Sequence, residues 1–459
     1  MKYAHLADLH LGSWRDQKMR DLSNKAFLSA INQCIEQNVD FILFAGDLFN
    51  TSLPSVDTLK IVTKKLKELQ EKNIPIYVIP GSHDFSPSGK TMIDVLEHAG
   101  LLKNVCKGKV NPETKLLDLE FTVDKKTGAK ITGILGRKGL LDKTYYENLN
   151  LEKLEQEKGY KIFQFHTTIS ELKPKHLEKL DSQPASFLPK GFAYYAGGHI
   201  HHPTKVEIAE LGTLTTPGNL ITPGIITYPG ALFPNNFAEL EKYGKGGYYL
   251  IETRNLSIST EFQQNIPLNP NTPFQQNITW IPLEVIKHKR IDIDCHHKSP
   301  EVISFEILNS CHNTIPNSNS SQNLSDSQRL SDSQHLSGTV ITIRLHGELS
   351  QGKVSDINFK SVFDQLYAQG AYFIMKNTAE LTSQEFSEIK MSPRNPESME
   401  EEIIKEHLQQ IKFLPQEKEL ELTKNLLSAL NTIKREGETI TDFNRRVEEE
   451  ANHLLQIDQ

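Results

Sequence analysis

The sequence predicts an α/β fold with a largely parallel sheet, followed by a smaller α+β unit and a helical tail. Over the first 250 residues, short apolar runs alternate with longer amphipathic ones. Strand-like runs resume after a stretch of Pro/Gly loops at 203–236, and apolar residues near the C-terminus recur at helical spacing. Strand–helix–strand alternation is typical of parallel sheets whose faces are covered by helices.

Six short apolar runs in the first part are predicted strands because they are brief and carry few charges. They are Tyr3–Ala7, Val39–Ala45, Ile74–Ile79, Ile131–Leu135, Lys161–Phe165 and Ala193–Ala196. Between the second and third of these runs, Leu59, Val62, Leu66 and Leu69 follow three- and four-residue spacings. Such spacing indicates a helix with one apolar face. The first predicted domain covers residues 1–255.

A second, α+β domain is predicted over residues 265–385. Its predicted strands and helix are Ile278–Ile286, Val302–Ile307, 340–348 and Phe359–Tyr367. The polar segment 309–338 contains the near-repeat LSDSQRLSDSQHLS and few apolar residues. Because such a segment cannot bury enough apolar surface to offset the loss of chain entropy, we expect a disordered insertion there.

The tail, residues 395–459, is predicted to be helical. A capping box of Ser398 and Glu401 precedes Ile403–Ile411, a second amphipathic run covers Leu422–Ile433, and Thr441 opens a third. The tail carries 8 Lys+Arg and 15 Asp+Glu, whereas the preceding residues hold 43 of each sign. Its acidity and short amphipathic helices favour a docking element.

The overall composition excludes some classes of protein. The net charge of −7 argues against a protein that coats nucleic acid by charge alone, although the neutral body could present a local basic face. No apolar run approaches the ~18 residues of a membrane span. The N-terminus lacks a signal-peptide pattern, and the four cysteines form no C-x-x-C pair. We therefore expect a cytoplasmic protein without membrane association.

The stretch VIPGSHD places Ser82, His83 and Asp84 side by side, the residue types of a serine hydrolase. A catalytic triad requires the imidazole to lie between the hydroxyl and the carboxylate. Neighbours in one turn project in divergent directions, and the G-x-S-x-G elbow is missing. The stretch is therefore predicted to serve another chemistry.

Five predicted strands end in Asp or His, and the carboxyl ends of parallel strands gather in one crevice. The residues that follow them are Asp8, His10, Asp47, Ser82, His83, Asp84, His166, His199 and His201. A single Asp or Ser among them is more simply read as a helix cap or turn former. As a set they predict sites for manganese, iron or zinc. Two ions bridged by a carboxylate would suit phosphoester hydrolysis.

The order D-x-H, G-D, G-[N]-H-D, H, G-H-x-H resembles the calcineurin-like metallophosphoesterases. HLADLHLG, LFAGDLFN and YPGALF, followed by FAE and KGGYYLIE, look like the archaeal type of the meiotic-recombination-eleven/SbcD DNA repair nucleases. The resemblance covers residues 1–252. It implies a four-layer α/β/β/α sandwich, a capping domain over 265–385 and a tail that binds an ATPase.

The resemblance also implies roles for the site residues. It assigns Asp8, His10 and His201 to a first metal, His166 and His199 to a second, and Asp47 to both. Ser82 stands where the family usually has a metal-binding Asn, and Ala231 where it commonly has Ser. His83 would contact the phosphate and help to protonate the leaving oxygen, with Asp84 orienting its ring.

The function implied is a two-metal DNA exonuclease/endonuclease that processes double-strand breaks, with Mn²⁺ as the expected ion. It would act as a homodimer with a coiled-coil ABC-type ATPase of the SbcC kind. One alternative is a phosphatase or cyclic-nucleotide phosphodiesterase, although such enzymes seldom need an extra domain and tail. Another is a DNA-end-binding scaffold in which Ser82 weakens the second metal.

Two further clusters, Cys295-His296-His297 and Cys311-His312, raise the possibility of zinc in the second domain. Their spacing matches no structural zinc pattern. One of the two clusters also borders the predicted disordered insertion, so a zinc site is not favoured.

Overall fold

The computed structural model describes residues 1–86, 89–173, 181–208, 224–255, 274–312, 336–383, 416–432 and 440–455. In these residues the strands are β1 (Lys2–Leu6), β2 (Phe41–Ala45), β3 (Ile76–Ile79), β4 (Lys103–Asn104), β5 (Gly108–Val110), β6 (Leu117–Leu119), β7 (Thr122–Val123), β8 (Lys130–Ile134), β9 (Lys161–His166), β10 (Tyr194–Gly198), β11 (Thr204–Glu207), β12 (Ile225–Tyr228), β13 (Gly247–Asn255), β14 (Phe274–Pro282), β15 (Lys287–Asp294), β16 (Thr339–Leu349) and β17 (Ala371–Ser383). The α-helices are α1 (Gln17–Glu36), α2 (Val56–Glu71), α3 (Met92–His98), α4 (Lys143–Glu147), α5 (Leu151–Gln156), α6 (Phe237–Tyr243), α7 (Pro300–His312), α8 (Phe359–Ala368), α9 (Gln416–Leu430) and α10 (Ile440–Leu455).

Two six-stranded sheets form the first part of the chain. The first has the order β14-β13-β1-β2-β3-β4 and the second β11-β12-β10-β9-β8-β7. Strands β1 to β4 run parallel, with Tyr3 opposite Phe41, and so do β8, β9, β10 and β12, with Tyr194 opposite Ile162. Antiparallel strands complete the edges of both sheets.

Three apolar cores separate four layers. The outer face of the first sheet packs on α1 and α2, and the outer face of the second packs on α4 and α5. Between the sheets lies a third core in which the rings of Tyr3 and Phe41 stack at 4.7 Å between centroids. Successive side chains of a strand point to opposite faces, so Tyr3 faces the inner core and Ala4 the helices. The predicted α/β/β/α sandwich is confirmed.

The two long helices form where capping and apolar spacing predict them. Asp16 caps α1 by accepting hydrogen bonds from the backbone N–H groups of Lys18 and Met19, and Ser55 caps α2 by accepting one from Thr58. The stripe Val62, Leu66 and Leu69 of α2 is fully buried against the first sheet. This packing fixes the end of β2 relative to the end of β1.

A separate parallel sheet, β15-β16-β17, packs against α7 and α8. The prediction of a strand at Val302–Ile307 is wrong, since these residues lie in α7. Ile303, Ile307 and Cys311 are buried at four-residue intervals, the spacing of one face of a helix. This spacing decides the structure here, although β-branched residues such as Val302 and Ile303 are also common in strands. Strand β12, at Ile225–Tyr228, was also missed because Pro/Gly loops surround it.

Helix α7 continues through His312, so the first four residues of the predicted insertion 309–338 are helical. Residues 313–335 of that insertion lie outside the described residues. Cys295 and Cys311 are buried in the core of the small sheet, and the Cys295 thiol faces the Ile293 carbonyl. Among the described residues, the groups spaced to hold a metal contain none of the cysteine or histidine residues of these clusters. The structure does not support a zinc site there.

Two of the three predicted tail helices correspond to α9 and α10, which contact each other. The predicted helix at Ser398–Ile411 lies outside the described residues. In the part of the chain that the structure describes, no helix combines the length and apolar character needed to cross a bilayer.

Candidate metal centre

The predicted site residues meet at one edge of the two stacked sheets. Asp8 follows β1, Asp47 follows β2 and the turn 81–84 follows β3, all in the first sheet. His166 ends β9 and His199 follows β10, in the second sheet. Because the parallel strands of both sheets end at this edge, segments far apart in sequence converge on one crevice.

Carboxylate and imidazole atoms in this crevice are spaced like neighbouring ligands of a metal ion. Asp47 Oδ2 lies 3.1 Å from His166 Nε2 and 3.5 Å from His10 Nε2. Asp8 Oδ1 lies 3.9 Å from His166 Nε2 and 3.8 Å from His201 Nε2. The Nε2 atoms of His10 and His201 are 3.2 Å apart. Ligand bonds of about 2.0–2.2 Å to a single ion place adjacent donors at such separations.

Three groups of residues have all their donor atoms within 4.8 Å of one another. They are Asp8 with His10 and His201, His10 with Asp47 and His83, and Asp8 with Asp47 and His166. Asp8, His10 and Asp47 each belong to two of them, so the three groups form one continuous set of donor atoms. The Ser82 hydroxyl donates to Asp47 Oδ2 at 3.3 Å, so Ser82 lies beside the shared carboxylate.

His199 and His83 differ from the expected arrangement. His199 belongs to none of the three groups; its backbone N–H donates to both Asp8 oxygens, at 2.9 and 3.1 Å, and its ring centroid lies 5.3 Å from that of His166. His83, expected to contact substrate only, has a ring nitrogen within one of the groups. Its backbone N–H donates to Asp47 Oδ1 at 2.7 Å.

Two of the imidazole rings are oriented by hydrogen-bond acceptors that lie outside the crevice. His166 Nδ1 lies 2.8 Å from the Ala45 carbonyl oxygen, and His201 Nδ1 lies 2.9 Å from Glu239 Oε1. A proton on each Nδ1 leaves the Nε2 lone pair facing the carboxylates, as in metal-bound histidines. The buried Nε2 of His166 has no hydrogen-bond partner among the described residues. A ring nitrogen that faces carboxylates and has no hydrogen-bond partner fits a divalent cation, which would take the place of a proton on it.

Burial lowers the pKa values of some histidines in the crevice, and neighbouring carboxylates raise those of others. Burial lowers the pKa of His10 to about 3 and that of His199 to about 3. Burial also opposes the charged form of His166, but the Asp47 carboxylate beside it raises the pKa to about 10. In turn His166 outweighs burial at Asp47 and holds the pKa of that carboxyl well below its usual range. The crevice thus concentrates negative charge that requires positive charge nearby.

The backbone at the crevice adopts conformations that are costly for non-glycine residues. Asp8, His10, Asp47 and His199 have φ values of 50°, 41°, 51° and 86°. Each such residue costs on the order of 1–3 kcal/mol, and such strain concentrates at functional sites. Gly46 has no alternative, since a Cβ there would lie 2.1 Å from His166 Nδ1. The Gly-Asp pair is therefore a steric requirement of the site.

The prediction that Asp84 orients the ring of His83 is wrong. The Asp84 carboxylate is buried and accepts hydrogen bonds from the backbone N–H groups of Gly81, Leu48 and Phe49. His83 Nδ1 lies instead 2.8 Å from the Asn50 carbonyl oxygen. Because adjacent side chains diverge in a tight turn, Asp84 points inward and ties the turn to the loop after β2.

Sequence reasoning missed three groups that orient histidines. The Ala45 and Asn50 carbonyls carry no residue-type signal and could not have been found. Glu239 could have been: Asn236 accepts from the Glu239 N–H at 3.0 Å, and an Asx residue three positions before Glu marks a helix start. The backbone N–H of Asn235 fixes its second oxygen, Oε2, at 2.9 Å.

Comparison with known families agrees with this geometry. The sequence of residues 1–203 matches the family described as calcineurin-like phosphoesterase. This match places a calcineurin-like phosphoesterase domain in residues 1–203. The metal-spaced groups of the phosphoesterase domain use Asp8, His10, Asp47, His83, His166 and His201, all inside the matched residues.

Relatives of the phosphoesterase domain are found in archaea and bacteria. The DNA double-strand break repair protein Mre11 of Archaeoglobus fulgidus is 30% identical over 219 residues, covering 44% of this chain and 46% of that protein. Mre11 of Methanococcus maripaludis is 34% identical over 210 residues, covering 44% and 52%. The uncharacterized metallophosphoesterase YhaO of Bacillus subtilis is 26% identical over 274 residues, covering 58% and 60%. The chain spans about half the length of these curated relatives.

Proposed function

We propose that this chain is a Mn²⁺-dependent DNA nuclease that hydrolyses phosphodiester bonds with two divalent ions. The observation that carries the proposal is the position of Asp47, whose Oδ2 lies between His166 Nε2 and His10 Nε2. A carboxylate shared between two sets of nitrogen donors is what a two-metal centre requires. The mixed nitrogen and oxygen donors suit manganese among other transition metals.

In the proposed centre each residue has a defined role. Asp8, His10 and His201 would hold the first ion, His166, His199 and, beside them, Ser82 would hold the second, and Asp47 would serve both. When bound, such ions supply a hydroxide at neutral pH and neutralise charge on the phosphate.

The chain itself supplies the proton donor for the leaving group. The Asn50 carbonyl, 2.8 Å from His83 Nδ1, keeps a proton on that nitrogen. When the ring carries a second proton on Nε2, it passes that proton to the leaving oxygen and returns to the neutral form with its proton on Nδ1. His83 therefore acts on the substrate, while Asn50 fixes which nitrogen faces it.

DNA as the substrate and an ATPase as the partner are supported by the relatives and by the tail. Two of the relatives are named as DNA double-strand break repair proteins. We assign residues 265–385 as a capping domain and residues 395–459 as the segment that docks on a coiled-coil ABC-type ATPase of the SbcC kind. The proposed assembly is a homodimer with exonuclease and endonuclease activity. A cytoplasmic location is supported by the four cysteines, all of which are free.

The test compares substrates on the full chain loaded with Mn²⁺. End-labelled duplex DNA and DNA hairpins are assayed beside nucleotide monoesters and cyclic nucleotides, with Asp47→Asn as the inactive control. We expect cleavage of DNA, and removal of Mn²⁺ by a chelator should abolish it. Preferential hydrolysis of monoesters or cyclic nucleotides would show that the chain is a phosphatase or a cyclic-nucleotide phosphodiesterase rather than a nuclease. DNA binding without cleavage, restored by Ser82→Asn, would replace it with a scaffold.

A further inference from the structure

We propose that Arg137 binds a second phosphate of the nucleic acid strand, next to the one being cleaved. The proposal rests on the proposed nuclease function and extends it by assigning a subsite. Arg137 lies in the loop after β8, three residues beyond the end of that strand. None of the sequence motifs includes it.

The loop that carries Arg137 is fixed directly against the metal centre. The backbone N–H of Gly136 donates to the Pro80 carbonyl at 2.9 Å, which ties this loop to the turn that carries Ser82 and His83. A Cβ at Gly136 would lie 2.5 Å from the His166 carbonyl oxygen and 2.5 Å from Cδ2 of its ring, so the backbone at Gly136 is in close contact with His166. Arg137, the next residue, therefore lies at the rim of the crevice.

The guanidinium of Arg137 is held in place without a counter-ion. Its Cζ lies 5.0 Å from the ring centroid of Phe85, two residues after His83, in a cation–π arrangement. The side chain is half-buried, and its Nε is buried without a hydrogen-bond partner among the described residues. No carboxylate pairs with it in the described part of the chain, although the neighbouring region is rich in ion pairs. A preorganised arginine without an acid is suited to an incoming anion.

The surroundings of Arg137 indicate which kind of anion it would bind. A guanidinium offers a planar fork of donors that matches two oxygens of a phosphate. The scissile phosphate is already served by His83 and the ions, and Phe85 separates Arg137 from His83 along the turn. Arg137 is thus placed for a flanking phosphate, which a single strand supplies and a simple diester lacks.

The experiment compares two substrates and four proteins. The full chain with Mn²⁺ is assayed on a single-stranded oligonucleotide and on bis(p-nitrophenyl) phosphate, which has one phosphate only. The proteins are the wild type, Arg137→Gln, Arg137→Lys and the control Lys138→Gln, which removes an exposed charge one residue away. Oligonucleotide binding is measured separately by fluorescence anisotropy over a range of salt concentrations.

We expect Arg137→Gln to lower kcat/KM for the oligonucleotide by about 10- to 100-fold, the loss of one charge-assisted contact. The loss should exceed that for bis(p-nitrophenyl) phosphate by at least about tenfold. The slope of log binding constant against log salt should fall by about 0.7, one phosphate contact on a single strand. Arg137→Lys should keep the salt slope and recover only part of the rate, and Lys138→Gln should leave both near wild type.

Three results would overturn the subsite. They are an equal loss on both substrates, an unchanged salt slope in Arg137→Gln, and an identical effect of Lys138→Gln. If the wild type hydrolyses neither substrate, the nuclease proposal fails. The salt slope of binding still decides whether Arg137 contacts a phosphate.

Discussion

Glu241 and Arg344 form a two-pronged ion pair that joins the phosphoesterase domain to the small parallel sheet. Arg344 Nε donates to Glu241 Oε1 at 2.8 Å and Nη2 donates to Oε2 at 2.7 Å, while the Glu241 side chain is only 7% exposed. Glu241 lies on α6, two residues from Glu239, which orients His201. One short helix thus contacts both the small sheet and His201 of the candidate metal centre.

Breaking the Glu241–Arg344 ion pair is expected to weaken both the contact of α6 with the small sheet and its contact with His201. In a double-mutant cycle of Glu241→Gln and Arg344→Gln, a coupling free energy of about 1–3 kcal/mol is expected, because each single variant leaves a largely covered charge with only its second partner. Glu241 keeps Arg290 at 3.7 Å, and Arg344 keeps Glu380 at 3.1 Å. Mn²⁺ affinity, measured by calorimetry, should fall in the single variants. The exposed pair Lys245–Glu284 is the control, with coupling of about 0–1 kcal/mol. Coupling no larger than the control would show that α6 is held by packing alone.

Glu239 is predicted to position His201 rather than to touch substrate. Glu239→Gln should lower Mn²⁺ affinity by about 10- to 100-fold, the usual cost of losing the acceptor behind a histidine ligand. The melting temperature without metal should change little. Glu207→Gln, an exposed carboxylate on β11, is the matched control. An unchanged affinity in Glu239→Gln would mean that His201 is oriented by other contacts.

Ser82 is predicted to weaken the second metal. Its hydroxyl is already engaged with Asp47 Oδ2 at 3.3 Å, whereas an amide carbonyl reaches further and offers a better oxygen ligand. Ser82→Asn should therefore raise the affinity for the weaker of two Mn²⁺ ions, seen as a second step in a calorimetric titration. Ser82→Ala should leave that step at or below its wild-type strength. Equal titrations for all three proteins would exclude Ser82 from the coordination of either ion.

Lys161 is predicted to make stability rise with pH in the alkaline range. Burial lowers the pKa of this amine to about 8 from its usual 10.5, and Nζ donates to the Leu154 and Glu155 carbonyls. The unfolded chain therefore binds more protons between pH 8 and 10.5, so the folded state gains stability as pH rises. The free-energy cost of burying the charged amine is fully present below pH 8, where the amine is protonated in both the folded and the unfolded chain. It is absent above pH 10.5, where the amine is neutral in both.

The variant Lys161→Met tests this sign. Relative to the variant, the wild type should gain on the order of 2 kcal/mol in unfolding free energy between pH 7 and 10.5, allowing for partial solvent screening. Urea unfolding at several pH values measures the difference. A gap between the two proteins that does not change with pH would show that Lys161 titrates normally.

The sequence predicted the location of the metal centre because of strand periodicity. Runs such as Phe41–Ala45 end abruptly in Gly-Asp, and parallel strands bring such ends together whatever their distance along the chain. Two separate sheets contribute, with β3 from one and β9 from the other, and the edge is common because the inner faces of the two sheets pack together. The convergence of these residues on one crevice thus followed from local signals.

Features that depend on tertiary contacts were harder to predict. The four-residue spacing of Ile303 and Ile307 defines a helix, but their β-branched side chains also suit a strand, and only packing against the small sheet decides. The direction of Asp84 was misjudged because a side chain in a tight turn can point inward or outward. The contacts of Arg137 with Phe85 join two loops and have no local signature.

The central claim is that Asp47 is shared by two divalent ions held from the ends of five strands. A crystal of the full chain grown with Mn²⁺, with anomalous difference density recorded at the manganese edge, tests it most directly. We predict two peaks in the crevice, both within ligand distance of Asp47 and flanked by His10 and His201 on one side and His166 on the other. A single peak, or Asp47 in contact with neither, would contradict the account.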